Sequence, residues 1–98
     1  LMESFVYQKG MKNGDYSFYA IDGTLLIKGE FTNNLKDGFW SYRKEKLYGK
    51  FKDGKKNGKW KWYQSDTLYY VYKFEKDILL SVTPMKNSPD FPEYIINP

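Results

Sequence analysis

The sequence predicts an all-β fold, an antiparallel up-and-down meander of stacked β-hairpin repeats with no significant helix. Three observations lead there. First, rings and glycines recur together: an aromatic at Tyr7, Phe31, Phe51 and Phe74, a glycine seven residues after each of the first three (Gly14, Gly38, Gly58), and another ring two residues past each glycine (Tyr16, Trp40, Trp60). Aromatic-to-aromatic spacings of 24, 20 and 23 residues fit a stacked array of supersecondary units. Second, side chains alternate with period two inside each unit, as a sheet with one packed side requires. Third, 20% of the residues are aromatic while aliphatics and alanine are scarce, so flat side chains must do the packing, which suits strands.

Taken in order, strands are expected near 4–9, 15–21, 24–32, 38–44, 46–52, 58–64, 67–75 and 78–83. Short connections make sequence neighbours sheet neighbours. Tyr16, Phe18 and Ala20 face Leu25, Ile27, Gly29 and Phe31 across an Asp22-Gly23 tip. Trp40 and Tyr42 face Gly49 and Phe51 across a tip near 44–46, and Trp60 and Trp62 face Leu68, Tyr70, Tyr72 and Phe74 across Ser65-Asp66. Gly29 and Gly49 leave gaps on the packed face into which a neighbouring ring can lie. Tyr72 breaks that pattern, so the third unit should pack differently, as an end cap. Gly14, Gly38 and Gly58 follow turn sequences and are expected at positive φ, a structural role. The repeat domain spans 1–83, with units at about 7–31, 31–51 and 51–74; residues 84–98 form a proline-rich tail, extended and docked by Phe91, Tyr94, Ile95 and Ile96 or else loose.

Composition sets further bounds. At 98 residues the chain is one small domain whose burial must be efficient. The net charge of +4 is carried by lysine, since Arg43 is the sole arginine, and reads as ordinary solubility. Without cysteine or histidine there is no disulfide framework, no thiolate metal site and none of the usual zinc, iron or Ser-His-Asp schemes, so no cofactor and no metal are expected. No apolar run reaches membrane-spanning length and residues 1–10 carry no signal-peptide core. A chain opening on Leu-Met fits a trimmed one, so the compartment stays open, with the cell envelope or periplasm expected in that case. Abundant Lys, Asn, Tyr and Ile with little Ala and Arg points to an AT-rich, bacterial genome.

The run Tyr48-Gly49-Lys50-Phe51-Lys52-Asp53-Gly54-Lys55-Lys56-Asn57-Gly58-Lys59-Trp60 resembles the MORN repeat, in the bacterial variant (MORN type 2) reading Gly-x-aromatic-x-x-Gly-Lys-x-x-Gly-x-Trp-x-x-Tyr. Gly58, Trp60 and Tyr63 match its second half closely; Gly38, Trp40 and Tyr42 match with the tyrosine one place early; Gly14, Tyr16 and Tyr19 keep the spacing with Tyr for Trp. The resemblance covers about 7–74. It departs at Tyr72, in the shortened second unit and in the tail. It implies β-hairpin arrays that serve protein contact, oligomerisation and, in some eukaryotic members, attachment to phospholipid. Bacterial relatives of that kind are often described as antitoxin-like or as lipid kinases. A kinase is rejected here, since the chain has no glycine-rich phosphate loop, no catalytic-loop aspartate motif and no room for that fold.

Three stretches are candidate sites. Lys50, Lys52, Lys55, Lys56, Lys59 and Lys61 stand against one acid, Asp53, and could attract an anionic surface; the structural alternative is a solvated turn whose lysines guard strand edges. Trp60, Trp62 and Tyr63 beside them would suit nucleic acid, but the near absence of arginine counts against it. The rings Trp40, Tyr42, Trp60, Trp62, Tyr70 and Tyr72 form an aromatic face, either core or a surface for a partner or sugar. Tyr63, Tyr69 and Val71 fall on the opposite face of the last hairpin, where an apolar patch reads as a contact site or oligomer interface. The leading expectation is a non-catalytic interaction or scaffold module that binds a protein partner or its own copy through the aromatic sheet face or an edge strand. The alternatives are a cell-envelope carbohydrate or wall-binding module, and an anionic phospholipid binder using the 50–61 segment. An enzyme ranks last, because Asp15, Asp22, Asp37, Asp53 and Asp66 sit in or beside turns, with nothing to pair them across a cleft.

Overall fold

The computed structural model describes residues 1–85. Ten strands follow one another: β1 (Met2–Ser4), β2 (Tyr7–Gln8), β3 (Met11–Lys12), β4 (Gly14–Tyr19), β5 (Leu25–Thr32), β6 (Leu35–Tyr42), β7 (Leu47–Lys52), β8 (Lys55–Gln64), β9 (Thr67–Glu75) and β10 (Ile78–Pro84), with no helix among the described residues. Eight make one antiparallel sheet in the order β1-β4-β5-β6-β7-β8-β9-β10, and β2 pairs only with β3. From β4 onward each strand lies beside its successor, the meander that short connections dictate. The single expected strand over 4–9 is instead divided. Lys9 and Gly10, both at positive φ, close a two-residue turn of their own, so Tyr7–Gln8 folds back on Met11–Lys12 and only Met2–Ser4 reaches the sheet.

Two kinds of turn alternate along the sheet. Hairpin tips lie between β4 and β5, β6 and β7, and β8 and β9. The connections at the other end are two-residue turns whose central residues both have positive φ: Asn33 and Asn34, Asp53 and Gly54, Lys76 and Asp77. Such mirror-image turns match the right-handed twist of the strands they join.

The glycine and aromatic columns acquire a geometry here. Lys28 pairs with Ser41 and Glu30 with Asp37, so Gly29 alone stands against residues 38–40; likewise Tyr48 pairs with Lys61 and Lys50 with Asn57, so Gly49 alone stands against 58–60. Each is a bulge that kinks the longer strand. The kink passes through Gly38 (φ 70°) and Gly58 (φ 80°), a left-handed conformation that a Cβ disfavours. It lays the following indole over the preceding hairpin: a Cβ on Gly29 would overlap the Trp40 ring, and one on Gly49 the Trp60 ring. Each indole is then tied down by donating Nε1–H to the next carbonyl, Trp40 to Glu30 at 3.0 Å and Trp60 to Lys50 at 3.0 Å.

These rings are the core. Tyr16, Trp40, Leu47, Phe51, Trp60, Tyr70, Tyr72 and Phe74 are buried on one face of the sheet. Phe31 meets Trp40 edge-on at 5.3 Å and Phe51 meets Trp60 edge-on at 5.1 Å, the T-shaped geometry that ring quadrupoles favour. In the first unit that place is held by Phe5, 4.9 Å from Tyr16, and not by the expected Tyr7, which the extra turn carries out to solvent. Tyr72 stands where the other units have glycine, opposite Trp60 on one side and Val82 on the other. No indole arrives from β10 to need the gap, so the side chain fills it. The expected docking of Phe91, Tyr94, Ile95 and Ile96 lies outside the described residues.

Candidate functional site

The packed face carries a feature that the glycine and ring columns did not disclose. Lys12, Lys36 and Lys56 each precede one of the three turn glycines by two residues, and each reaches across rings of the core. Lys12 Nζ lies 4.6 Å from the Phe5 centroid and 5.2 Å from Phe31; Lys36 Nζ is 5.1 Å from both Trp40 and Phe51; Lys56 Nζ is 5.3 Å from Trp60 and 5.2 Å from Phe74. A cation over a ring face is attracted by its quadrupole while the methylene stem covers apolar surface. The backbone of the same lysines receives the next turn. Asn34 N–H donates to Lys12 O at 2.9 Å, Gly54 N–H to Lys36 O at 2.9 Å and Asp77 N–H to Lys56 O at 3.0 Å. Two turns return the bond through a side chain, Lys12 N–H donating to Asn34 Oδ1 at 2.8 Å and Lys56 N–H to Asp77 Oδ1 at 2.7 Å.

Burial shifts the protonation of this face. It holds the Lys36 and Lys56 ammoniums below the usual lysine range; beside Lys56, the Asp77 carboxylate opposes the shift and Lys36 adds to it. Burial, with the Glu45 carboxylate as a second cause, pushes Tyr42 up to about 12. Tyr16 is raised further, by burial and by its bond to Glu3 Oε2 at 2.6 Å. Lys36 Nζ donates to Tyr42 Oη at 3.2 Å, so cation and phenol are held together.

The residues singled out from sequence divide between the two faces. Trp40, Trp60, Tyr70 and Tyr72 are core, at 1%, 0%, 6% and 0% exposure. Tyr42 and Trp62 are half-buried beside them, Trp62 donating Nε1–H to Glu45 O at 3.1 Å. After Trp62, which pairs with Tyr70, the register shifts and Tyr63 pairs with Leu68, a bulge that breaks the alternation at Tyr69. Its ring packs 5.8 Å from Trp62, against the core. Of the six lysines, Lys50, Lys52, Lys55, Lys59 and Lys61 are exposed, whereas Lys56 is buried on the packed face and does not share their surface.

The reverse face brings together a different set. Phe39, Tyr48 and Tyr63 line a trough of about 770 Å³ with Lys50, Lys59 and Lys61 along it, Gly49 and Gly58 in its wall and Asp66 at one end. Ladder register places them: Phe39 opposes Lys50, and Tyr48 opposes Lys61. Tyr48 and Tyr63 meet edge to face at 5.7 Å and 77°, while Phe39 is 57% exposed in the middle of the sheet. Sequence reasoning passed over Phe39 and Tyr48. Both were reachable, since period two puts the residue between Gly38 and Trp40, and the one before Gly49, on the face opposite the core.

Among the described residues no three carboxylates gather as a metal site, and no helix is long and apolar enough to cross a membrane. Individual carboxylates take part in local hydrogen bonds. Asp22 Oδ1 accepts from Thr24 N–H at 2.9 Å, the Thr24 bonds holding its carboxyl below the usual range, and Asp37 accepts from Thr32 Oγ1 at 3.1 Å. Neither a protein-family model nor a curated protein sequence matches this chain.

Proposed function

We propose that this chain is a non-catalytic interaction module, built of repeats of the MORN type, that binds a protein partner through the reverse face of its sheet. The observation that carries the reading is the division of aromatic residues between faces. Trp40 and Trp60 occupy the space over Gly29 and Gly49, so their ring faces are not presented to a sugar or peptide. Phe39, by contrast, stands 57% exposed in the lysine-edged trough, an apolar group that a docking partner would cover. The non-catalytic part rests on the carboxylates: Asp22 and Asp37 each accept a hydrogen bond from a residue two or five positions away, and Asp77 ties its turn to the Lys56 backbone, which are structural duties.

Site-specific cross-linking tests this. A photo-reactive phenylalanine analogue at position 39 should form a discrete adduct with a partner protein in a host-cell lysate, and the same analogue at Ile21, 90% exposed on a hairpin tip, should not. Equal labelling from both positions, or none from position 39, overturns the reading.

A further inference from the structure

Resting on the reading that the reverse face binds protein, we infer that its partner presents an acidic segment: a short stretch of aspartates and glutamates around one apolar side chain, seated in the trough between Phe39, Tyr48 and Tyr63. Charge complementarity argues it. Lys50, Lys59 and Lys61 all stand on this face, with Asp66 the sole acid in the lining. On the adjoining strand Lys73, also exposed, lies directly opposite Lys59. Like charges paired across a ladder repel, so this surface gains when carboxylates lie between them.

The rings argue for a peptide over a nucleic acid. Stacked bases need open ring faces in succession. Here Tyr48 and Tyr63 are half-buried and set edge to face at 77°, so they offer no run of parallel faces, and Phe39 is the exposed ring of the three. A trough of about 770 Å³ suits a few side chains. Ammonium groups on flexible stems meet scattered carboxylates well, whereas bidentate phosphate reading calls for guanidinium.

The test is fluorescence anisotropy on the full chain with a labelled peptide of glutamates and aspartates around a central leucine. Binding should saturate, weaken steeply with added salt, and fall by about tenfold or more in Lys59→Glu/Lys61→Glu, a loss of affinity set by charge reversal. Phe39→Ser should weaken the leucine peptide and leave a glycine-centred peptide unchanged, which separates the apolar slot from the charges; far-ultraviolet circular dichroism checks that each variant keeps its sheet. Tighter binding of an oligothymidylate or of phosphatidylserine vesicles than of the peptide overturns the inference, as does binding indifferent to Lys59 and Lys61. If the peptide fails while the position-39 adduct forms, the acidic partner is wrong and the protein-binding face stands. If both fail, both fall.

Discussion

The indole of Trp60 occupies the space that a side chain on Gly49 would need, and its Nε1–H is bonded to the carbonyl of Lys50, the very next residue. Trp40 repeats the relation one hairpin earlier, over Gly29 and bonded to Glu30. The missing Cβ on one unit and the large ring on the next are therefore a single device, and it lies between hairpins, not within one. This is how a sheet with so few aliphatic residues builds a core: the middle hairpin lays Trp40 over the one before it and receives Trp60 from the one after it.

That reciprocity predicts non-additive energetics. Alanine at a strand glycine ordinarily stabilises by reducing backbone freedom in the unfolded chain. Gly49→Ala should do the reverse and cost about 1–3 kcal/mol, the usual penalty of overpacking, read as a lower urea midpoint. In a Trp60→Leu background, which is itself destabilised, the added methyl meets no indole and its penalty should shrink towards zero. A double-mutant cycle measures the coupling, and equal penalties in both backgrounds would refute the geometry.

Turn-to-lysine bonds give a second prediction. Asp77 has φ 68° and accepts the Lys56 N–H at 2.7 Å, while Asn34 does the same for Lys12 at φ 70° and 2.8 Å. Asp77→Asn keeps both the oxygen and a residue tolerant of that backbone and loses only the charge beside Lys56, so it should cost least of the three variants. Asp77→Gly keeps the conformation and loses the acceptor, costing about 1 kcal/mol. Asp77→Ala loses both and should cost about 1–2 kcal/mol more than glycine. Chemical denaturation of the three variants checks the order, and alanine equal to glycine would mean the positive φ contributes nothing.

What the sequence disclosed and what it hid follow from how local each cause is. The meander, the hairpin tips, the positive-φ glycines and the glycine gaps were legible because period-two alternation and positive φ are properties of a residue and its immediate neighbours. Phe5 was not, because its place in the core depends on whether Lys9-Gly10 makes a turn of its own. Lys56 was counted with its exposed neighbours because a charge count does not know register; its position two residues before Gly58, shared with Lys12 and Lys36, was the available clue. Tyr69 left its expected face through a bulge that no turn residue announces. Of the reverse trough, Tyr63 and the lysines were legible as an opposite-face patch and a basic run, but Phe39 and Tyr48 were passed over, because each stands beside a residue of the packed face and its own side is set by register.

The buried lysines and tyrosines predict an alkaline stability profile with two limbs. Lys36 and Lys56 sit below their ordinary value of 10.5 because burial disfavours their charged form. Over the interval between that lowered value and 10.5 the unfolded chain binds more protons, so stability rises with pH there and levels off above it. Tyr42 runs the other way: raised from 10.0 to about 12, it contributes stability that is complete below pH 10 and lost as pH climbs to about 12, and Tyr16 adds to the same loss. The urea midpoint should therefore climb on the approach to pH 10 and fall beyond it. Lys56→Met keeps the apolar stem over Trp60 and Phe74 and removes one of the two titrating ammoniums, so it should reduce the climb to the share that Lys36 contributes and leave the fall. Tyr42→Phe should shorten the fall. A Lys56→Met profile whose rising limb is undiminished from the parent's would show that this ammonium is solvated, and the ring contact on which its burial rests would be refuted with it.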